Sequence, residues 1–219
     1  MTFTIERRWF IAGLGATALS LPLAGEAQAN VLTDILGKAS DSALDRLGAP
    51  GAFYNDKDIR VGLPFLGGGS VMNSLAGIGL FDGLIRRLND AASAAAGIAK
   101  PVFRESIDKL SLSDLPGLVR ENDGATRYLK ESAGDTLHGK LRPLVDTALG
   151  NAGAYRKFDK LSNRTSLLSG AGITHDVLGK SVTEQALSGI FKYIGNEEAR
   201  LRADPLDKVG GLLKGLLGK

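Results

Sequence analysis

The chain has 219 residues, 43% hydrophobic and 23% charged, which fits one globular domain and excludes wholesale disorder and a polytopic membrane protein. Its net charge of +3 comes from 27 basic and 24 acidic residues that are mixed along the chain. The basic stripe that nucleic-acid binding requires is missing, so no nucleic-acid partner is expected. Cysteine is absent, which excludes disulfides and thiolate chemistry.

Residues 1–29 have the features of an export signal. Arg7 and Arg8 precede an apolar run that is too short for a convincing membrane span, and small residues follow at the positions that a signal peptidase recognises. We therefore predict cleavage between Ala29 and Asn30 and a periplasmic location. The paired arginines fit a twin-arginine signal and an ordinary secretory signal equally, and a retained N-terminal anchor is a third alternative.

The first half of the mature chain, residues 30–219, shows helical spacing with one interruption. Apolar residues from 31 to 47 predict a helix, whereas residues 52–69 alternate and then contain glycines, which predicts an extended irregular connection. Helical spacing returns from Val71 to Leu110, where an alanine-rich run predicts a buried central helix. Pro101 either kinks that helix or begins a new one.

The second half of the chain predicts further helices. Short helices are expected at 114–120, behind an N-cap at Ser113, and at 125–130, behind an N-cap at Asp123. Gly134 is expected to separate the latter from a helix at 137–149, which Pro143 should bend. A short helix at 155–161 and a long one from Thr174 or His175 to Ala203 complete the pattern. The prediction is an all-α, compact multi-helix bundle that forms a single domain.

Most candidate polar sites favour structural interpretations. The two histidines, His138 and His175, have no metal-ligand spacing, and surface or capping roles are favoured. Gly67–Ser70 resembles a flexible turn more than a phosphate loop. The oxygen-bearing side chains of Asn55, Asp56 and Asp58 lack the rest of a calcium loop, so a solvated turn is favoured. No metal and no cofactor is predicted.

Four charged residues lie together near the end of the long C-terminal helix: Glu197, Glu198, Arg200 and Arg202. Glu198 and Arg202 are one helical turn apart, which predicts a structural ion pair. Acid/base catalysis by these carboxylates would need a cleft that shifts a pKa towards neutrality.

Residues 206–219 contain a leucine-rich stripe, formed by Leu206, Val209, Leu212, Leu213, Leu216 and Leu217. Lysines interrupt the stripe, which is typical of a basic amphipathic helix. Docking on the bundle as its last helix is favoured, and contact with an anionic membrane surface or a partner protein is the alternative.

Several segments together resemble one known family, namely Gly51–Asn55, Ile59–Pro64, Ala125–Leu129, Leu141–Val145, Val182–Phe191, Glu197–Glu198 and Arg202–Pro205. The family is the bacterial domain of unknown function 4197, and the likeness covers nearly the whole mature chain. The resemblance implies an exported helical protein and no particular activity. The chain departs from the family pattern at Gly67–Gly69 and Gly83, which leaves the length of the second helix open.

No catalytic motif emerges, and catalytic residues stay unknown. We expect an exported cell-envelope protein, more consistent with a non-enzymatic helical module that binds lipid, a membrane surface or a protein partner. One alternative is an enzyme whose carboxylates, among Asp56, Asp58, Glu197 and Glu198, meet in a partly desolvated pocket. Another is a structural or oligomerisation protein.

Overall fold

A computed structural model describes residues 23–64, 79–111 and 121–203. The described residues contain no β-strand, and the prediction of a compact all-α bundle is confirmed. The helices are α1 (Leu23–Leu47), α2 (Ala52–Asn55), α3 (Asp82–Ile98), α4 (Lys100–Asp108), α5 (Gly124–Asn151), α6 (Ala154–Ser162), α7 (Leu167–Gly170) and α8 (His175–Ala203).

Helices α5 and α8 pack closely against each other, α8 also packs against α1, and α5 also packs against α3. The largest fully buried side chains come from α1, α2, α3, α4 and α5: Leu36, Leu44, Leu47, Phe53, Leu84, Leu88, Phe103, Ile107, Leu129, Leu137, Leu141 and Leu149. Phe103 meets Phe191 of α8 edge to face, with ring centroids 6.1 Å apart. Hydrophobic burial across these faces is the main stabilising term of the fold.

Helix α5 is continuous, and the predicted break at Gly134 is wrong. The buried stripe of Leu129, Ala133, Leu137 and Leu141 runs through this position at helical spacing. A mid-helix glycine costs only about 1 kcal/mol, which the burial of these leucines exceeds. The predicted N-cap also differs, because Asp123 makes no side-chain capping hydrogen bond to α5.

The connection between α2 and α3 is irregular over residues 56–64 but begins as a helix. The prediction for 52–69 is corrected at its start, since Ala52–Asn55 form α2, and residues 65–69 lie outside the described residues. The alternation is real, because Ile59, Val61 and Leu63 are all buried. Asn89 of α3 takes the place of a sheet partner: it accepts a hydrogen bond from the Val61 N–H and donates one to the Val61 carbonyl, each at 2.8 Å.

Glycines allow two close approaches in the bundle. A Cβ on Gly189 of α8 would lie 3.0 Å from the Phe53 ring and 3.1 Å from Ile59, so a larger residue would push the connection away. A Cβ on Gly48 would lie 2.7 Å from the Gly97 Cα, which brings the ends of α1 and α3 into contact. Pro101 lies in the first turn of α4, where its missing N–H costs little.

Helix α1 begins at Leu23 and runs without interruption past Ala29 and Asn30. Leu32 and Leu36 of this helix are buried, and cleavage after Ala29 would leave both in the mature chain. None of the helices in the described ranges is both long and apolar enough to cross a membrane. Several predicted features lie outside the described residues: the helix at 114–120 with its N-cap Ser113, the Gly67–Ser70 segment and the leucine stripe of 206–219.

Candidate functional site

Glu198 caps α5 from a neighbouring helix. Its fully buried carboxylate accepts hydrogen bonds from the backbone N–H groups of Ala125, at 3.1 Å, and Thr126, at 2.7 Å. The Thr126 hydroxyl donates a third bond at 2.5 Å, and the Arg202 guanidinium forms an ion pair with the same carboxylate. A negative charge at a helix N-terminus is favoured by the helix dipole, so Glu198 replaces the missing Asp123 cap.

Glu197 joins the C-terminal ends of α1 and α8. It is 4% exposed and accepts hydrogen bonds from Arg46 of α1 and from Arg200, the latter at 2.9 Å. Burial raises the pKa of Glu197, but the hydrogen bonds from Arg200 and Arg46 outweigh it and hold the pKa below its ordinary value. Glu197 is therefore ionised at neutral pH.

The carboxylates after α2 are also bonded to α8. The Tyr193 hydroxyl donates to Asp56 at 2.7 Å, and the Lys192 ammonium forms an ion pair with Asp58 at 2.7 Å. The hydrogen bond from Tyr193 lowers the pKa of Asp56. The carboxylate enzyme hypothesis needs a pKa shifted towards neutrality, and Asp56 and Glu197 are shifted the opposite way.

His175 contacts an aromatic ring and a carboxylate. The His175 ring stacks on Tyr155, with centroids 4.5 Å apart, and its Nε2 lies 2.7 Å from an Asp159 oxygen. Burial and a hydrogen bond to Asp146 raise the pKa of Tyr155, so its hydroxyl stays protonated. In the part of the chain that the structure describes, no group of His, Asp or Glu side chains is arranged to hold a metal ion.

A shallow apolar groove of about 380 Å³ lies between α3 and α5. Its lining residues are Asp90, Ala94, Ile98, Leu144, Thr147, Ala148, Asn151 and Ala152. Ile98 is 58% exposed, as exposed as Val31 of α1 at 57%, and Ala94 beside it is also exposed, so the two form a small apolar surface at the groove. The groove is open to solvent along one side, and most of its lining is apolar.

Basic side chains gather at one end of this groove. Arg87 of α3 donates a hydrogen bond to the carbonyl of Ala152, a groove residue. A Cβ on Gly153, in the turn before α6, would lie 3.1 Å from an Arg87 nitrogen and 3.2 Å from an Arg156 nitrogen. Lys157 extends over Gly83 of α3, with its ammonium 3.5 Å from the corresponding Cβ position. Arg87, Arg156 and Lys157 form a basic cluster beside Ala152, the cationic end of the groove.

Sequence reasoning missed both the groove and its cationic end. The pairs Arg86-Arg87 and Arg156-Lys157 are visible as adjacent basic residues, but each pair alone is typical of a solvated helix face. Helix packing brings the two pairs together. The predicted contact residues of the tail, Leu206 to Leu217, lie outside the described residues, and their role stays a prediction.

Comparison with known proteins gives a family and no activity. Neither the curated proteins nor the solved structures contain a significant match to the chain. A family model with the description "Protein of unknown function (DUF4197)" matches residues 23–218, which is nearly the whole chain. The resemblance inferred from the sequence is thus confirmed, and the chain belongs to the DUF4197 family, an uncharacterised domain family.

Proposed function

We propose that the protein is an exported, non-enzymatic helical binding module of the cell envelope that holds a lipid-like ligand in the groove between α3 and α5. The observation that carries the proposal is the exposed aliphatic surface around Ile98, in a groove of about 380 Å³. An apolar ligand would remove this surface from water, at about 25 cal/mol per Å² of apolar surface covered.

The shape of the groove favours a hydrocarbon chain over a polar ligand. Small side chains, Ala94, Ala148 and Ala152, line much of it, so a ligand can approach the helix backbones closely. The Thr147 hydroxyl is already bonded to the Pro143 carbonyl at 2.9 Å. Asp90 and Asn151 are the other polar lining residues, and the part of the groove formed by Ala94, Ile98 and Leu144 offers only apolar side chains. Methylene groups need no hydrogen-bond partners there, whereas a sugar or a nucleotide would.

The binding experiment uses phenylnaphthylamine, an uncharged apolar dye that fluoresces when it leaves water. We expect saturable fluorescence with the parent protein and its loss in Ala94→Trp. Ala94 is an exposed lining residue, so the indole ring that replaces its methyl group would occupy the groove. Thr136→Trp is the matched control, since Thr136 is exposed on α5 and does not line the groove. Equal binding by the two variants, or no binding by the parent, would contradict the proposal.

The export part of the proposal is supported by the signal-like residues 1–29. Mass spectrometry of the protein from the periplasmic fraction of a bacterial host should find a chain that begins at Asn30. Replacing Arg7 and Arg8 by lysine separates the two export routes, because the twin-arginine route requires the arginine pair. Uncleaved protein in the cytoplasm would contradict export.

A further inference from the structure

We propose that the ligand of the groove is a single-chain anionic amphiphile, whose charged head binds the cationic end formed by Arg87, Arg156 and Lys157. This inference rests on the proposed function and specifies the class of ligand. Its basis is that Arg87 is bonded to the groove residue Ala152 and meets Arg156 at the adjacent Gly153, while Lys157 lies further along α3 at Gly83.

The cationic end has unused charge. Among the described residues, no carboxylate forms an ion pair with Arg87, Arg156 or Lys157, a property that they share with isolated surface lysines such as Lys130 and Lys180. Arg87 and Arg156 approach the same glycine, Gly153, so their like charges lie side by side. An anion bound between them would relieve this repulsion and accept charge-assisted hydrogen bonds.

The groove and the cationic end are continuous. Arg87 precedes Asp90, the first groove residue of α3, by three positions, and its guanidinium is bonded to Ala152. Asp90 is the one carboxylate among the groove-lining residues of the described chain, and it offsets one of the three positive charges. The remaining charge is positive, which complements a carboxylate or phosphate head with its chain along Ala94 and Ile98.

The experiment compares parinaric acid, a fluorescent fatty acid, with its uncharged methyl ester. We expect the parent protein to bind the acid about tenfold more tightly than the ester at low salt, a factor that two solvent-exposed ion pairs can supply. In the double variant R156E/K157E the preference should disappear while the ester still binds. Raising the salt concentration should weaken the preference of the parent, because the cationic end is exposed.

The control variant K130E/K180E makes the same charge change on exposed lysines of α5 and α8 that do not line the groove. It should keep the preference for the acid. A second variant, R156Q/K157Q, guards against effects of added negative charge, and circular dichroism checks that each variant is folded. An unchanged preference in folded R156E/K157E, or no preference in the parent, overturns the inference. If the parent protein does not bind the methyl ester at all, the proposed function is overturned instead.

A bilayer surface is the competing source of anionic heads. Sedimentation with vesicles of phosphatidylglycerol, and with vesicles of phosphatidylcholine as the uncharged control, separates it from a free amphiphile. The inference expects A94W to abolish binding of parinaric acid. If the protein binds phosphatidylglycerol vesicles through Arg156 and Lys157 but binds no parinaric acid, these residues contact a membrane surface and the single-chain site is overturned.

Discussion

The two ends of the bundle use charge in opposite ways. At the junction of α1, α5 and α8, Glu197 and Glu198 are buried, and arginines and backbone N–H groups of the same chain bind their carboxylates. At the cationic end of the groove, Arg156 and Lys157 are held by no carboxylate of the described chain. Both regions are rich in charge, and the proposed anionic ligand would supply the partner that the cations of the second region lack.

This difference shows how to separate structural charges from functional ones. Removing one partner of a buried, fully hydrogen-bonded ion pair lowers the free energy of unfolding, because the other charge is left buried without compensation. Exposed cations without an internal partner contribute little to stability, so their removal should appear in binding. Variants of buried and exposed charged or polar residues can test this separation, and the largest effect is expected at the buried carboxylates.

Replacement of Glu198 by alanine should have the largest effect on stability. The change removes the acceptor of the Ala125 and Thr126 N–H groups and one side of a buried ion pair. We expect the free energy of unfolding to fall by about 3–5 kcal/mol, as measured by urea denaturation. E184Q, at an exposed position of the same helix, should change it by less than about 0.5 kcal/mol. A loss below about 1 kcal/mol in E198A would show that Glu198 is not a structural cap.

Asn89 tests a buried polar contact on the same helix as Arg87. In N89A the Val61 N–H and carbonyl lose their partner inside the core, and the Ile85 carbonyl loses its side-chain donor but keeps its backbone helix bond. The expected loss is about 1–3 kcal/mol, measured in the same way. Asn196→Ala on the exposed side of α8 is the control and should be neutral. A neutral N89A would mean that water replaces Asn89 without cost.

R156Q should leave stability nearly unchanged while it weakens binding of an anionic probe. Its side chain is exposed and forms no ion pair within the described residues, so we expect a change in the free energy of unfolding below about 0.5 kcal/mol. Thermal unfolding with and without parinaric acid measures both effects at once. A marked loss of stability without ligand would make Arg156 a structural residue and would contradict the distinction between structural and ligand-binding charges.

Glu105 gives the smallest effect, and one that depends on pH. Hydrogen bonds from Lys109 and Lys140 lower the pKa of Glu105 to about 2. A lowered pKa in the folded state contributes stability above the unfolded pKa, near 4.5, which is lost as the pH falls towards 2. E105Q should therefore differ from the parent at pH 7 and converge with it between about pH 4.5 and 2. Urea midpoints across this range test it, with the exposed Glu131→Gln as control.

The helices were predictable where one apolar stripe dominates the local sequence. The long C-terminal helix was expected from Thr174 or His175 to Ala203 and is found at His175–Ala203. The break at Gly134 was wrong because the glycine penalty is local, while the buried stripe of α5 extends over its whole length. The helical start of the connection at Ala52–Asn55 was missed because it is only one turn long.

The candidate site was not predictable, although each of its basic residues can be identified in the sequence. Arg87 and Arg156 belong to separate helices, and only the packing of α3 against α6 and the end of α5 brings them to Gly153. The groove has the same origin, since Ile98 and Leu144 belong to different apolar stripes. Glu198 and Arg202, by contrast, lie one turn apart on one helix, so their proximity followed from helical geometry.

By itself, the sequence determined the helical class, the family and the extent of the longest helix, because apolar spacing and local propensity act over a few turns. The tertiary structure decided which charges are satisfied and which are free. Arg46 reaches Glu197 across 151 positions, and Glu198 reaches Thr126 across 72, so neither contact has a local signature. Solvation and pairing of a charge depend on what packs around it, which only the folded chain specifies.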